Sequence, residues 1–311
     1  MSVKANALMY HHFHDGLVHP KVQGSISSGD FEEGIIYLVK KGYKFLNANE
    51  WYEKSLQSKL NDNELCITFD DGLRCQFDVA LPILDDYKIK AFWFIYSSGV
   101  SDREDDLEVF RRYRTCNFYS IEEFYSSFDR EVEIGPFAAQ VASGLKFFDS
   151  SEYLKNFPFY TVEDKKFRFI RDEILGGENY NLTMRTMIAK SNFNVEAESY
   201  NLWMTDSNLK YLSTSGHMIG LHSYSHPTRI AELTRDQQND EYLRNFQHIT
   251  TAVGIKPVAM SHPCNSYNQD TLKIIDALGI KLGFCSNPSL INYTNLEYPR
   301  IDHSRIHQEF A

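Results

Sequence analysis

The sequence predicts an α/β fold in which parallel strands alternate with helices, as in an open sheet or a barrel. Short apolar segments of strand type recur along the 311 residues, and helical periodicity follows several of them. Segments such as 91–96 are apolar at every position, which is typical of strands that helices cover on both faces. Repeats of strand and helix imply parallel strands with right-handed crossovers.

The alternation can be followed element by element. The first helix is predicted to be capped by Ser28 and to carry Val39 on its apolar face. Further helices are predicted over about residues 77–87 and 234–253 and after the capping residue Asn268. The predicted strands cover residues 7–10, 65–69, 91–96, 217–221, 257–260 and 281–285.

The alternation stops between about residues 101 and 204, where the sequence is mainly helical in pattern and rich in aromatic residues. We expect one domain over residues 1–311, with this segment as a mainly helical insertion or cap that begins at the charged stretch 102–106. Its aromatic side chains can form a small hydrophobic core of their own, or some of them can stack on a sugar or close a lid.

Charge and hydropathy restrict the partners and the location. The chain has 42 Asp and Glu against 32 Lys and Arg, a net charge of −10 without a basic cluster, which argues against a nucleic-acid partner or an anionic membrane surface. No apolar run approaches the roughly 18 residues of a membrane-spanning helix. If Met1 is the native start, the lack of a signal segment predicts a cytoplasmic protein. The five scattered cysteines predict reduced thiols.

An acidic pair follows the second predicted strand. Asp70 and Asp71 stand directly before Gly72. Adjacent carboxylates repel each other, so their free energy is high unless a cation or a proton relieves the repulsion. An acidic pair before a glycine is also common in ordinary surface turns.

Two histidines follow the fourth predicted strand. His222 and His226 are four residues apart, so one face of a helical turn would bring both imidazoles to one ion. Two imidazoles and one carboxylate form a ligand set with open positions, suited to zinc or a related divalent metal that holds a water. The alternative is a pair of partly exposed or hydrogen-bonded histidines without a metal.

Two further polar stretches also come directly after predicted strands. Residues 261–268 include Asn265, which tolerates the left-handed backbone of a tight turn and so favours a backbone N–H that points into a site. An ordinary loop is the alternative. His11 and His12 follow the first strand, where a core histidine is the alternative. Because active sites of α/β proteins lie at the carboxyl edge of parallel strands, we expect all four stretches to share one site.

Together these residues resemble the motifs of the polysaccharide deacetylase family, the NodB-like carbohydrate esterases of family four. The first motif corresponds to residues 68–72 and the second, His-[Ser/Thr]-x-x-His, to residues 222–226. The third, a Pro-Tyr-Gly turn, is only echoed by residues 263–265. The resemblance covers about residues 7–100 and 205–302. It implies a distorted (β/α) barrel of the NodB type and metal-dependent removal of an N-acetyl group from a sugar.

The resemblance also implies roles for single residues in the first two motifs. Asp71, His222 and His226 would bind a divalent metal, for which zinc is the expected ion. Asp70, the other carboxylate of the pair, would be the general base.

Three further assignments follow from departures from the usual family pattern. N-terminally permuted members carry the general acid in a Tyr-His context, so the acid is assigned to His11, with His12 as the near alternative. The third motif usually begins with an Arg that orients the catalytic Asp, and His262 stands near that place here. Arg300, after the last predicted strand, is the candidate to supply the guanidinium, and the backbone N–H of Cys264 is expected to bind the oxyanion.

The predicted function is a metal-dependent hydrolase that removes an N-acetyl group from an amino sugar of a glycan or glycan precursor. One alternative is an amidase that acts on a non-sugar C–N bond with the same metal site. The other is a non-catalytic, metal-bearing sugar-binding protein. The presence of both Asp70 and Asp71 argues against a pure binder, which needs the ligand but not the base. A cytoplasmic enzyme would act on a precursor such as a nucleotide-linked or lipid-linked amino sugar.

Overall fold

The computed structural model describes residues 5–101, 106–155, 160–288, 290 and 293–310. The first four residues of the chain and most of the charged stretch 102–106 lie outside the described residues. Within the described part, the alternation of strands and helices predicted from the sequence is confirmed. No helix there is both long and apolar enough to cross a bilayer.

The strands and helices follow one another along the chain. The strands are β1 Ala7–Tyr10, β2 Lys44–Phe45, β3 Glu64–Phe69, β4 Phe92–Ile95, β5 Met218–Leu221, β6 Ala259–Ser261, β7 Leu282–Cys285, β8 Tyr298–Pro299 and β9 Ile301–Asp302. The helices are α1 Ser28–Lys40, α2 Ala48–Leu56, α3 Leu81–Asp86, α4 Ser97–Ser101, α5 Asp106–Cys116, α6 Ile121–Ile134, α7 Ala138–Gly144, α8 Val162–Phe169, α9 Gly176–Ala189, α10 Val195–Ser199, α11 Asp206–Thr214, α12 Arg235–Val253, α13 Gln269–Ala277 and α14 His303–Phe310.

The strands form one parallel sheet that is nearly closed into a barrel. Eight of them follow the order β8-β7-β6-β5-β4-β3-β1-β9, and β2 pairs beside β3. Every pairing between them is parallel. This confirms the predicted barrel, in which the carboxyl ends of the strands share one rim.

A single extended segment joins the two ends of the sheet. Strand β8 pairs with β7 at one end, and β9 pairs with β1 at the other. Only Arg300 lies between β8 and β9 in the chain. These short strands were not predicted, because two-residue pairings leave no periodic apolar pattern.

Local sequence explains the starts of the helices, with one correction. Ser27, rather than the predicted Ser28, caps α1: its side chain accepts a hydrogen bond from the Asp30 N–H, and Asp30 bonds back to the Ser27 N–H. Val39, predicted on the apolar face of that helix, is 52% exposed, because the buried side of α1 ends at Leu38. The predicted cap Asn268 is confirmed for α13.

The chain divides into two compact units, residues 1–105 with 199–311, and residues 106–198. The first contains the barrel, whose core is rich in aromatic side chains such as Trp51, Phe92 and Phe284. In the second, helical unit, the buried aromatic rings of Phe124, Phe128, Phe167 and Tyr180 pack against one another. The helical unit therefore has an aromatic core of its own.

Candidate active site

Polar side chains from several strand ends meet at one rim of the barrel. Asp70 and Asp71 follow β3, His222 follows β5, and His11 follows β1. All four lie in the barrel unit, and contacts of 4.0 Å or less link His11 and His222 to the acidic pair. The strand order explains this clustering, because β1 is a direct neighbour of β3 and β4 alone separates β3 from β5.

Asp70 is a buried carboxylate held by an arginine. Nη1 of Arg300 donates to Oδ1 at 2.7 Å and Nη2 donates to Oδ2 at 2.6 Å. The Ser261 hydroxyl adds a hydrogen bond to Oδ2 at 3.0 Å. Burial by itself would raise the pKa of Asp70, but the Arg300 charge and the nearby His222 outweigh it and lower the pKa to about 2. Asp70 is therefore ionised across the physiological range of pH.

Arg300 is itself fixed by its neighbours. It is 1% exposed, and its guanidinium also donates to the Thr68 hydroxyl at 3.0 Å and the Ser261 hydroxyl at 2.6 Å. Thr68 and Ser261 received no role in the sequence interpretation. Their positions in β3 and β6, at the rim shared with the acidic pair, were the available signal.

Asp71, His222 and His226 form a buried cluster. One ligand atom from each of the three residues can be chosen so that all lie within 4.8 Å of one another. Oδ1 of Asp71 is 3.4 Å from Nε2 of His222 and 3.5 Å from Nε2 of His226. Among the described residues, this buried oxygen has no partner at hydrogen-bond geometry. The cluster has the donor types and spacing of a divalent-metal site.

The orientation of His222 also suits a metal. Its Nδ1 lies 2.9 Å from the carbonyl oxygen of Ser261, and a carbonyl can only accept. Nδ1 therefore carries a proton, and in the neutral ring the lone pair of Nε2 is directed toward Asp71. Such a backing hydrogen bond is the usual support of a histidine metal ligand.

The backbone at this cluster is in an uncommon conformation. Asp71, Ser223 and His226 have φ angles of 80°, 64° and 53°, in the left-handed region that non-glycine residues rarely adopt. Positive φ at three neighbouring non-glycine residues persists only where the surroundings enforce it, and such sites are concentrated where function needs them.

The histidines outside the cluster differ in their surroundings. Nε2 of His11 lies 3.9 Å from Oδ2 of Asp70, with the His11 side chain 30% exposed, whereas His12 is buried. Nε2 of His262 donates to the Leu296 carbonyl at 2.8 Å, and its ring stacks on Tyr267. Burial lowers the pKa of His262 to about 4, so it is a neutral, structurally bound histidine and not a substitute for the motif arginine.

Cys264 lies in the short turn Pro263–Asn265, just beyond the end of β6. Its side chain is exposed, and the φ angles of Cys264 and Asn265 are 49° and 57°. The tight, partly left-handed turn expected from Asn265 is therefore present.

The sequence interpretation missed the contribution of α12. Glu241 and Asn245, four residues apart on this helix, contact the backbone of the loop that holds the two histidines. Polar residues on a helix usually face solvent, so these two were not recognised. Their spacing could have identified them, because residues four apart lie on one side of a helix and this helix had to cover the sheet.

Comparison with protein families identifies a match over much of the chain. Residues 57–114 and 182–283, together just over half of it, match the family model described as polysaccharide deacetylase. The match is interrupted between residues 115 and 181. A search of curated proteins finds no match.

Solved structures with a similar fold include three bacterial proteins. The Streptococcus pyogenes deacetylase PplD, in complex with acetate, is 18% identical, with a TM-score of 0.52 over 96% of this chain and 91% of that one. IcaB from Ammonifex degensii is 15% identical, with a TM-score of 0.56 over 95% and 89%. A de-N-acetylase from Aggregatibacter actinomycetemcomitans is 13% identical, with a TM-score of 0.55 over 99% of both chains. At these identities the similarity establishes the fold.

Proposed function

Because the chain belongs to the polysaccharide deacetylase family and is a hydrolase of the N-deacetylase class, we propose that it removes an N-acetyl group from an amino sugar. The single observation that carries the proposal is the buried cluster of Asp71, His222 and His226 beside the ion-paired carboxylate of Asp70. We also propose that residues 1–311 form one deacetylase domain, with the segment of about 101–204 inserted in it. The family match on both sides of residues 115–181 supports this arrangement.

The three residues of the cluster would hold a divalent metal. In the described part of the chain the buried Oδ1 of Asp71 has no partner at hydrogen-bond geometry, and the Nε2 lone pair of a neutral His222 is directed toward it, as a shared cation requires. Zinc is the expected ion, because two imidazoles and one carboxylate are a common zinc set with open positions. When bound, such a metal acidifies water and polarises the amide carbonyl.

Asp70 is proposed as the general base. Arg300 and Ser261 keep it ionised and fix the plane of its carboxylate. In the reaction it takes a proton from the water that attacks the acetyl carbonyl. Its low pKa makes Asp70 a weak base in the resting protein, so the attacking water has to be acidic enough to transfer its proton to this carboxylate.

His11 is proposed as the general acid, with His12 as the alternative. Its position 3.9 Å from Asp70 and its partial exposure would let it reach a substrate at the rim. It would give a proton to the departing nitrogen as the C–N bond breaks, so that the products are acetate and a free amine. The backbone N–H of Cys264 is proposed to stabilise the oxyanion, a contact worth roughly 3 kcal/mol in such sites.

The proposed substrate is an N-acetylated sugar of a glycan or a glycan precursor. The similar structures include a deacetylase with bound acetate and a de-N-acetylase, which supports the acetyl group as the part removed. The fold by itself does not distinguish a sugar from another amide, so a non-sugar amidase remains the competing activity.

One experiment separates these functions. The purified protein is analysed for metal, and acetate release is measured with N-acetylated sugars, nucleotide-linked N-acetyl sugars and small acetamides. We expect release from a sugar, with Asp70→Asn lowering it by roughly 10²- to 10⁴-fold while the metal content stays unchanged. Full activity in Asp70→Asn would show that the base assignment is wrong. Release from small amides alone would favour the amidase, and sugar binding without release would favour the non-catalytic protein.

A further inference from the structure

Helix α12 presents two polar side chains to the loop that carries the histidines. Asn245 is fully buried, and Glu241, one turn earlier, is half-buried. The proposed mechanism uses neither of them. Burial of an amide in a helix that covers a sheet costs free energy unless its hydrogen bonds are satisfied, so the partners of Asn245 matter.

Three hydrogen bonds join the Asn245 side chain to the ends of two strands. Its Oδ1 accepts the N–H of His222 at 3.0 Å. Its Nδ2 donates to the Ile95 carbonyl at 2.9 Å and to the Ser97 hydroxyl at 2.7 Å. The side-chain amide thus bridges the last residue of β4 and the first residue after β5. The His222 N–H also donates to the Ile95 carbonyl at 3.1 Å, so the amide reinforces the backbone position of His222 where the β4–β5 pairing ends.

Glu241 holds the loop between the two histidines. Its Oε2 accepts the backbone N–H groups of Tyr224 at 2.9 Å and Ser225 at 2.8 Å. Its Oε1 accepts the Ser225 hydroxyl at 2.6 Å. A carboxylate that accepts several backbone N–H groups makes strong, charge-assisted hydrogen bonds.

The two contacts act on a loop whose backbone is strained. Ser223 and His226 have positive φ, so the loop would relax toward ordinary angles without support. We propose that Asn245 and Glu241 are positioning residues that hold His222 and His226 in the geometry that binds the metal. The inference rests on the metal site of the proposed function.

The test measures the affinity of the protein for Zn²⁺ alone, by competition with a chromophoric chelator, alongside thermal unfolding. Asn245→Ala and Glu241→Ala are expected to weaken Zn²⁺ binding by roughly 10- to 100-fold, as losses of residues behind metal ligands do. Glu241→Gln keeps one oxygen that can accept the loop N–H groups, so its affinity is expected to lie between those of the wild type and Glu241→Ala.

Gln238 offers a matched control on the same helix. It is 1% exposed, donates to the Leu233 carbonyl at 3.0 Å and accepts the Thr271 hydroxyl at 2.6 Å. Gln238→Ala removes an equally buried amide without touching the histidine loop. It is expected to lower the unfolding temperature but to leave the Zn²⁺ affinity within about twofold of the wild type.

The outcomes distinguish the inference from the function on which it rests. A wild-type protein that binds no Zn²⁺ overturns the proposed metal site and this inference with it. Wild-type affinity in both Glu241→Ala and Asn245→Ala overturns the inference alone, as does an equal loss of affinity in Gln238→Ala. If Asn245→Ala does not fold, the comparison of Glu241→Ala with Glu241→Gln decides, because that half-buried side chain is not part of the core.

Discussion

Arg300 binds Asp70 through two parallel hydrogen bonds, from Nη1 to Oδ1 at 2.7 Å and from Nη2 to Oδ2 at 2.6 Å. The arginine lies between β8 and β9, where the barrel closes, and the aspartate follows β3. The ion pair therefore links the proposed general base to the segment that closes the sheet.

Removing the arginine should expose the cost of burying the carboxylate. Arg300→Gln leaves Asp70 buried without its counter-charge, and we expect a loss of about 3–5 kcal/mol in the free energy of unfolding. Urea unfolding of Arg300→Gln, Asp70→Asn and the double variant measures the coupling. The double variant should lose less than the sum of the two single losses, because neither charge is then left alone. Strict additivity would show that the pair is not coupled.

The general acid can be identified by comparing two adjacent histidines. His11→Gln is expected to lower kcat for acetate release by roughly 10²- to 10⁴-fold, because the leaving nitrogen then receives no proton from the protein. His12→Gln serves as the control and should stay within about tenfold of the wild type. Both variants should bind Zn²⁺ normally, since neither residue is in the proposed ligand set. The reverse pattern would assign the acid to His12.

Metal removal should destabilise the protein by mass action. At a Zn²⁺ concentration of about one hundred times Kd, bound metal adds about 2.7 kcal/mol to the free energy of unfolding. We therefore expect a chelator to lower the Tm and added Zn²⁺ to restore it. Asp71→Asn, which weakens one ligand, should show a much smaller Zn²⁺-dependent shift. A wild-type Tm that is indifferent to both chelator and Zn²⁺ would contradict the proposed site.

A histidine directly before β5, outside the cluster of Asp71, His222 and His226, should make stability depend on pH. Nδ1 of His217 accepts hydrogen bonds from the Ala91 N–H and the Trp93 indole, both at 3.0 Å. Burial, assisted by the Lys90 charge, lowers the pKa of His217 to about 4. The unfolded chain takes up this proton near pH 6.5, while the folded protein resists it down to about pH 4.

The contribution of His217 to stability is therefore complete above about pH 6.5 and is lost as the pH falls toward 4. Between those limits the loss is on the order of 3 kcal/mol. His217→Asn keeps an acceptor but does not titrate, so urea unfolding from pH 7 to 4.5 should show a shallower pH dependence than the wild type. Parallel curves for the two proteins would contradict this account.

The strands and the main motifs were predictable because their signals are local. Apolar runs mark β1, β3, β4, β5, β6 and β7 to within one or two residues. The acidic pair and the two histidines were recognisable because each motif lies within five consecutive residues. The closing strands β8 and β9 were not, since two residues carry no periodicity.

The contacts around the site depend on residues that are far apart in the chain. Asp70 and Arg300 are separated by 230 positions, and Asn245 bonds His222 from 23 positions away. A sequence interpretation can propose an arginine for the missing place in the third motif, but no local pattern brings that arginine to the carboxylate.

The sequence by itself determined the alternation of parallel strands and helices, the rim at which the polar residues gather and the residue types of the proposed metal site, and its family resemblance added the barrel. The periodicity of the side chains and the direction of a strand depend on residues that are close together in the chain, so they can be recognised from the sequence alone. Only the tertiary structure decided that Arg300 and Ser261 hold Asp70, that Ser261 orients His222, and that α12 contacts the histidine loop. Those contacts form when the barrel closes and brings distant segments within hydrogen-bond distance.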